Sequence, residues 1–195
     1  HRLADTPAYL HYPGENGRVV YAEGLFTGYR WYEARDIDVA FPFGHGLSYT
    51  RFEWGTPTVD APDTVADLET GRPVVVTVPV RNVGDRAGSE VVQAYVGCDA
   101  PRLSRPAREL RGLAKVRLEP GEEREVELVL DHRAFTYWDP GDPSYPERAD
   151  AAPVAAGVGV ERRAEAGWVI DPGSHRIHLG ASSADTRAVA IVDLA

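Results

Sequence analysis

The chain has 195 residues, and 43% of them are hydrophobic, which is enough for one domain of ordinary size and an appendage. Its formal charge of -9 lacks the clustered positive charge that binds phosphate groups, so we expect no nucleic acid partner. A single cysteine, Cys98, excludes an internal disulfide, and because no apolar run approaches the roughly 20 residues that cross a bilayer, we expect no membrane partner.

The first 55 residues are dense in aromatic side chains, which are interleaved with glycines. This pattern predicts an extended segment that packs on the surface of another domain and has no core of its own. Between residues 56 and 73, prolines and glycines recur at short intervals, as is typical of linkers. We therefore predict two units, residues 1–55 and residues 56–195.

Six short strands are predicted after this boundary. The β-branched run at 74–80 and a strand at 89–96 are separated by turn residues, which predicts a hairpin. A second hairpin is predicted from residues 114–118 and 123–130, since residues 125–130 alternate between polar and apolar side chains. Two more strands are predicted at 175–180 and 187–194. Short strands joined by turns favour an antiparallel β-sandwich.

Two motifs before Gly55 carry a family resemblance. Residues 41–52 read FPFGHGLSYTRF, and residues 21–32 read YAEGLFTGYRWY. Together they resemble the segment that ends the α/β domain of glycoside hydrolase family 3 β-glucosidases and leads into a fibronectin type III-like domain. Blocks that resemble this second domain follow in the family's order, at residues 90–96, 105–113, 118–122, 168–173 and 179–187.

The resemblance implies the fold class. It is mainly β: an antiparallel immunoglobulin or fibronectin type III-like β-sandwich, preceded by an extended segment from an α/β domain. Because the chain contains no methionine, we also expect that His1 is not a translation start and that the chain is a piece of a longer protein.

The resemblance also implies a function. Family members are similar in using a retaining mechanism, with an aspartate nucleophile on a barrel domain and a glutamate acid/base on the α/β domain. Neither motif can be matched here, so we expect both residues upstream of His1 and no catalytic residue in this chain. The expected partners are the upstream barrel and α/β domains of the same enzyme. A β-glucoside substrate would be met only through the intact enzyme.

Glu23 is the best candidate for a catalytic carboxylate within the chain, because aromatic surroundings can tune a carboxyl group for proton transfer. The alternative is an ion pair with an arginine such as Arg30, which would fix the segment on the α/β domain. We favour this structural role, since ion pairs commonly fix packing. The acidic run at 119–127 is expected to be a turn and the solvated face of a strand.

Residues 44–49, GHGLSY, suggest two further kinds of site. A dinucleotide fingerprint needs a third glycine where Tyr49 stands and a helix after it, and the sequence provides neither. A triad of Ser48, His45 and Asp38 lacks the glycine-flanked turn that exposes a nucleophile. We therefore expect no cofactor, and glycines that let the backbone bend closely against a neighbouring domain.

The sequence predicts no metal site. His175 and His178 are three residues apart, which on a strand directs them to opposite faces. Cys98 has no cysteine or close histidine at the spacing of zinc ligands. These side chains therefore lack the local geometry to bind one metal ion together.

A basic loop contains an arginine at every third position. It could clamp an anionic ligand, because guanidinium groups bind carboxylates and phosphates in pairs of hydrogen bonds. We favour a solvated loop that docks against the partner domain. Its members are Arg102, Arg105, Arg108 and Arg111.

Residues 139–167 depart from the family pattern, which implies a short turn at this point. The stretch contains four prolines and few large apolar side chains, so we expect a mobile surface excursion between strands. The alternative is a flap that reaches over the active site of the intact enzyme, with Tyr145 at its tip.

A free-standing binding or adhesion module is the alternative function, since fibronectin type III-like sandwiches often act in recognition. Such a module should carry a row of exposed aromatic side chains. A third hypothesis is one half of a split enzyme that associates with a separate catalytic chain. The aromatic residues after Gly55 are few: Tyr95, Phe135, Tyr137, Trp138, Tyr145 and Trp168.

Overall fold

The computed structural model describes residues 2–141 and 165–195. This part of the chain forms strands and short helices in the order α1 (Tyr29–Ala34), β1 (Phe52–Trp54), β2 (Thr58–Asp60), α2 (Val65–Glu69), β3 (Val74–Asn82), β4 (Gly88–Cys98), β5 (Glu109–Leu118), β6 (Glu123–Leu130), β7 (Tyr137–Asp139), β8 (Gly167–Val169), β9 (Gly173–Ser182) and β10 (Asp185–Leu194). Single 3₁₀ turns lie at Leu3–Asp5 and His132–Ala134. None of the helices within these ranges has the length and apolar character needed to cross a membrane.

Two antiparallel sheets form a sandwich. In the first sheet, β3 pairs with β6 along one edge, while β1 and β2 pair with opposite ends of β3. The second sheet has the strand order β10, β9, β4, β5. The remaining strands, β7 and β8, form a separate two-stranded ribbon. The predicted antiparallel β-sandwich is therefore confirmed.

The core lies between the two sheets because every second residue of their strands is apolar. In β3, four valines face inward and are fully buried, and β6 repeats the same period of two. Burying one such side chain stabilises the fold by about 1.5–3 kcal/mol. The core includes Val74, Val76, Val78, Val80, Val126, Leu128 and Leu130 from the first sheet, and Val92, Ala94, Val96, Ile177 and Leu179 from the second.

Both predicted hairpins are wrong. The strand at 74–80 belongs to the first sheet and the strand at 89–96 to the second, so the turn between them crosses the sandwich. Strands β5 and β6 are likewise consecutive in the chain but lie in different sheets. Turn residues show that the chain reverses, and they do not show whether the next strand pairs beside the first or packs across from it. The last two predicted strands do pair, as β9 and β10.

The segment before β1 divides into two parts. None of residues 2–54 is fully buried, and large apolar side chains such as Leu10, Tyr21, Leu47 and Tyr49 are exposed. Residues 28–54 nevertheless lie against the sandwich of the same chain, and β1 is a strand of the first sheet. The segment was expected to be extended throughout, but residues 29–34 form helix α1.

The insertion predicted at 139–167 lies mostly outside the described residues, and so does Tyr145. Whether this stretch is a loose loop or a flap therefore stays a prediction. Its two ends are described. Asp139 and Gly167 face each other in the β7–β8 ribbon, and the next pair, Trp138 and Trp168, has ring centroids 5.6 Å apart in an edge-to-face arrangement. The ribbon therefore brings the two ends of the insertion together.

Candidate functional site

We define the docking seam as α1 and residues 36–52 where they contact the second sheet. Tyr29, the first residue of α1, stacks on Phe43 with ring centroids 4.8 Å apart, and its edge faces Tyr95 at 6.0 Å. The Tyr29 hydroxyl accepts a hydrogen bond of 2.9 Å from the backbone N–H of Leu110. Aromatic packing and a backbone bond thus fix the start of α1 on β4 and β5.

Burial, with the nearby Tyr29 and Glu33, raises the pKa of Tyr95 to about 12. The Tyr95 phenol therefore stays protonated at neutral pH. It donates a hydrogen bond of 2.6 Å to the side-chain oxygen of Gln93. This bond orients the Gln93 amide toward the backbone of the docking seam.

The Gln93 amide connects the GHGLSY motif with the end of β9. Its nitrogen donates to the carbonyl of Gly44 at 3.2 Å and to the carbonyl of Ala181 at 2.6 Å. Gly44 has φ +80°, and a Cβ at this position would overlap the Gln93 amide. Glycine at position 44 is therefore explained by the positive φ and by the Gln93 side chain packed against it.

Two ion pairs also hold α1 on the sandwich. Arg30 pairs with Glu109 at 2.9 Å, and Glu33 pairs with Arg108 at 3.5 Å. Arg30, suggested as a possible partner of Glu23, therefore binds Glu109 instead. Sequence spacing could not show this, because Arg30 and Glu109 are brought together only when β5 packs beside α1.

The four arginines of the basic loop bind partners within the chain, so the loop is neither a free anion clamp nor fully solvated. Its docking against a partner domain stays a prediction. Arg108 donates to the carbonyl of Ser183 at 2.6 Å. Arg111 pairs with Glu109 at 2.7 Å. Arg102 and Arg105 belong to a buried polar cluster beneath the β7–β8 ribbon. Arg111 also donates to the carbonyl of Thr136 at 3.3 Å, so each of these guanidinium groups connects two parts of the chain.

That buried polar cluster centres on Asp171. Its carboxylate accepts a hydrogen bond from the Tyr137 hydroxyl at 2.7 Å and from the backbone N–H of Arg102 at 3.0 Å, and it pairs with Arg105 at 3.3 Å. The Arg102 guanidinium also pairs with Asp139. Burial raises the pKa of Tyr137, which keeps its hydroxyl available as a donor.

The structure does not assemble the triad of Ser48, His45 and Asp38. The Ser48 hydroxyl accepts a hydrogen bond of 3.3 Å from the backbone N–H of Thr50, and the His45 ring lies 5.4 Å from the ring of Phe41. Asp38 lines a different groove from the one that His45 and Ser48 share. These contacts assign the motif to packing.

His175 and His178 lie on opposite faces of β9, as predicted. His175 faces the core and is 1% exposed, with its Nδ1 at 3.1 Å from the carbonyl of Gly173, while His178 is half-buried on the other face. Cys98 is the cross-strand partner of His175 and is partly exposed. Within residues 2–141 and 165–195, no three metal-ligating side chains form a group.

The two histidines predict a pH dependence of stability. Burial lowers the pKa of His175 and of His178 below the ordinary value, which is about 6.5 in an unfolded chain. As pH falls below about 6.5, the unfolded state takes up protons that the folded state does not, so stability is lost toward the lowered pKa values. We expect the free energy of unfolding to fall between pH 7 and 5.5, by at most about 1.4 kcal/mol per pH unit for each histidine.

Urea unfolding at several pH values tests this expectation. His175→Phe keeps an aromatic ring against Phe135 and should reduce the slope. A wild-type stability that stays flat down to pH 5.5 would contradict the assignment of neutral histidines.

Comparisons with known proteins give the docking seam its context. A family model described as "Fibronectin type III-like domain" matches residues 90–146. Thermostable beta-glucosidase B of Acetivibrio thermocellus is 49% identical over 138 residues, which are 71% of this chain and 18% of that protein. Probable beta-glucosidase I of Aspergillus fumigatus is 45% identical over 137 residues, which are 70% of this chain and 16% of that protein.

Solved structures match across almost the whole chain. The GH3 beta-glucosidase of Bifidobacterium adolescentis superimposes with a TM-score of 0.76 at 34% identity, covering 98% of this chain and 24% of that one. The beta-glucosidase of Kluyveromyces marxianus gives a TM-score of 0.77 at 35% identity and covers 100% of this chain and 20% of that one. The chain therefore corresponds to a C-terminal portion of glycoside hydrolase family 3 β-glucosidases.

The chain spans less than a fifth of the length of these two curated relatives. It spans 18% of the length of the Acetivibrio protein and 16% of the Aspergillus protein. Because most of each relative lies outside the aligned region, the docking seam is a candidate contact site for other domains. The motifs that carried the resemblance, residues 21–32 and 41–52, either form this seam or lead directly into it.

Sequence reasoning missed two sets of buried polar residues in the family 3 portion. Asn82 ends a β-branched strand before a turn, which is a common place for asparagine, and nothing in the pattern shows that it is fully buried. Asp139 and Asp171 flank the long insertion and are separated by it in sequence. Their common neighbour Arg102 becomes visible only in three dimensions.

Proposed function

We propose that this chain braces the catalytic domains of a retaining β-glucosidase, with the upstream barrel and α/β domains as its partners. The observation that carries the proposal is the alignment with β-glucosidases over about 70% of the chain, which is 16–18% of their length. Catalysis depends on accurate placement, because a displacement of about 1 Å can cost about two orders of magnitude in rate. A rigid sandwich fixed to the end of the α/β domain would limit such displacement.

The exposed surface of the first segment supports this role. Leu47 and Tyr49 are 94% and 93% exposed, although the backbone around them is anchored to the sandwich. Exposed apolar groups on an anchored backbone are typical of an interaction surface. We propose that residues 1–55 form the unit that meets the upstream domains and that residues 56–195 form the fibronectin type III-like unit. The two proposed units are joined by a hydrogen bond of 2.8 Å from the N–H of Gly55 to the carbonyl of Pro79.

The alternative, a free-standing binding module, has less support. Among the described aromatic residues after Gly55, Tyr95, Phe135 and Tyr137 are buried, and the exposed ones are Trp138 and Trp168. These two rings contact each other edge to face on the short ribbon. They do not form a row along a sandwich face, which a binding module of this type should have.

The isolated chain is expected to hydrolyse no 4-nitrophenyl β-D-glucoside, because it contains no matched nucleophile or acid/base. Joined to its upstream catalytic region, or mixed with that region as a separate fragment, it should support turnover. The released nitrophenol measures both results. Turnover by the 195-residue chain alone that is abolished in Glu23→Gln would overturn the proposal.

A further inference from the structure

A groove of about 410 Å³ lies between α1, residues 36–43 and the turn that joins β9 to β10. We call it the α1 groove. Four aromatic rings line it, and two of them, Phe41 and Phe43, are exposed to a large extent. One wall of the groove is fixed by two contacts of Phe43. Its ring stacks on Tyr29, and its carbonyl accepts a hydrogen bond of 2.8 Å from the N–H of Ser183.

The charged residues that line the α1 groove are all acidic. Glu33, Asp36 and Asp38 contribute carboxylates, and no lysine, arginine or histidine is among the lining residues. One oxygen of Glu33 pairs with Arg108 from outside the lining, while its other oxygen, Oε1, is buried and accepts no hydrogen bond from the described residues. An acceptor in this condition costs free energy unless a donor reaches it.

We propose that the α1 groove receives a basic side chain from the catalytic region that precedes this chain in the intact enzyme. A guanidinium or ammonium group is the chemistry that the lining fits, because aromatic faces attract cations and carboxylates accept their hydrogen bonds. A guanidinium can stack on a ring and donate to two oxygens at once. The inference rests on the proposed function and names the contact by which the two parts engage.

The size of the missing partner supports a macromolecular occupant. The chain covers 24% of the Bifidobacterium enzyme and 20% of the Kluyveromyces enzyme, so most of a homologous protein lies outside it. Phe41 is 74% exposed at the edge of the groove, and a small free cation would leave it uncovered. A protein surface that carries the basic side chain would cover the ring and neutralise the carboxylates together.

The test measures association of this chain with the preceding catalytic region supplied as a separate fragment, by isothermal titration at two salt concentrations. The variant Asp36→Asn/Asp38→Asn removes two charges from the groove, and asparagine tolerates the positive φ of 51° at position 36. The matched control, Glu123→Gln/Glu125→Gln, removes two charges from exposed positions of β6 on the other sheet.

We expect the groove variant to raise the dissociation constant roughly tenfold or more at low salt, with a smaller salt dependence than the wild type. The control should change it less than about twofold. An unchanged dissociation constant in the groove variant, with normal wild-type association, would overturn the inference and leave the proposed function intact. If the wild-type chain and the catalytic fragment fail to associate at all, both the inference and the proposed function are overturned. Equal weakening by both variants would also overturn the inference, since it would show a general charge effect.

Discussion

Asn82→Ala is expected to lower the free energy of unfolding by about 3–5 kcal/mol, because it removes four side-chain hydrogen bonds from a fully buried position. The Asn82 amide nitrogen donates to the carbonyls of Arg86 and Leu118 at 2.7 and 3.1 Å. Its oxygen accepts from the Thr50 hydroxyl at 2.5 Å and from the Gly84 N–H at 3.1 Å. The alanine would leave the carbonyl of Leu118 unpaired at a buried position, and the other three groups would lose their partner at part-buried positions.

Urea unfolding of the isolated chain measures this loss, and Thr50→Val provides the comparison. The valine removes one of the four bonds and should cost less than half as much. Asn82 joins the docking seam, the crossing between β3 and β4, and the end of β5, so its replacement should also lower the cooperativity of unfolding. A loss below about 1 kcal/mol in Asn82→Ala would contradict the assignment of Asn82 as a structural hub.

Asp171→Ala is expected to destabilise the chain by about 3–5 kcal/mol, since it removes one partner from a buried ion pair and leaves the other charge uncompensated. The Asp171 and Arg105 side chains are 8% and 10% exposed, so solvent cannot replace the lost carboxylate efficiently. The Tyr137 hydroxyl and the Arg102 N–H lose their acceptor in the same change.

Asp60→Ala is the matched control, because Asp60 pairs with Arg72 at a similar distance of 3.2 Å on the surface. Those side chains are 79% and 53% exposed, so the pair should contribute less than about 1 kcal/mol. Thermal unfolding of both variants under identical conditions makes the comparison. Equal losses in the two variants would show that burial does not set the strength of the Asp171 cluster.

The sequence predicted the strands better than their partners. The alternation at 125–130 predicted which residues of β6 are buried, because the period of a strand is local. The pairing of β3 with β6 joins residues about fifty positions apart, and no local pattern carries that information. Turn residues at 83–87 show a reversal of the chain but are equally compatible with a hairpin and with a crossing between sheets.

In the candidate site, too, the sequence predicted local features better than long-range contacts. Residues 41–52 drew attention as a motif, and the structure shows why Gly44 is a glycine. The partners of the charged residues were not predicted. Arg30 was suggested as one possible partner of Glu23, whereas it binds Glu109, which only the fold brings near. Long-range ion pairs depend on the packing of whole elements, and spacing along the chain does not encode them.

The β7–β8 ribbon makes the chain between residues 139 and 167 a natural graft point. Asp139 and Gly167, the two ends of this stretch, are held opposite each other by backbone pairing, and Arg102 binds Asp139. The entropy cost of closing a loop grows only with the logarithm of its length, so added length at this point has little effect on the sandwich. Evolution or an engineer can therefore extend the chain there, or place a whole reporter domain there, without redesigning the core.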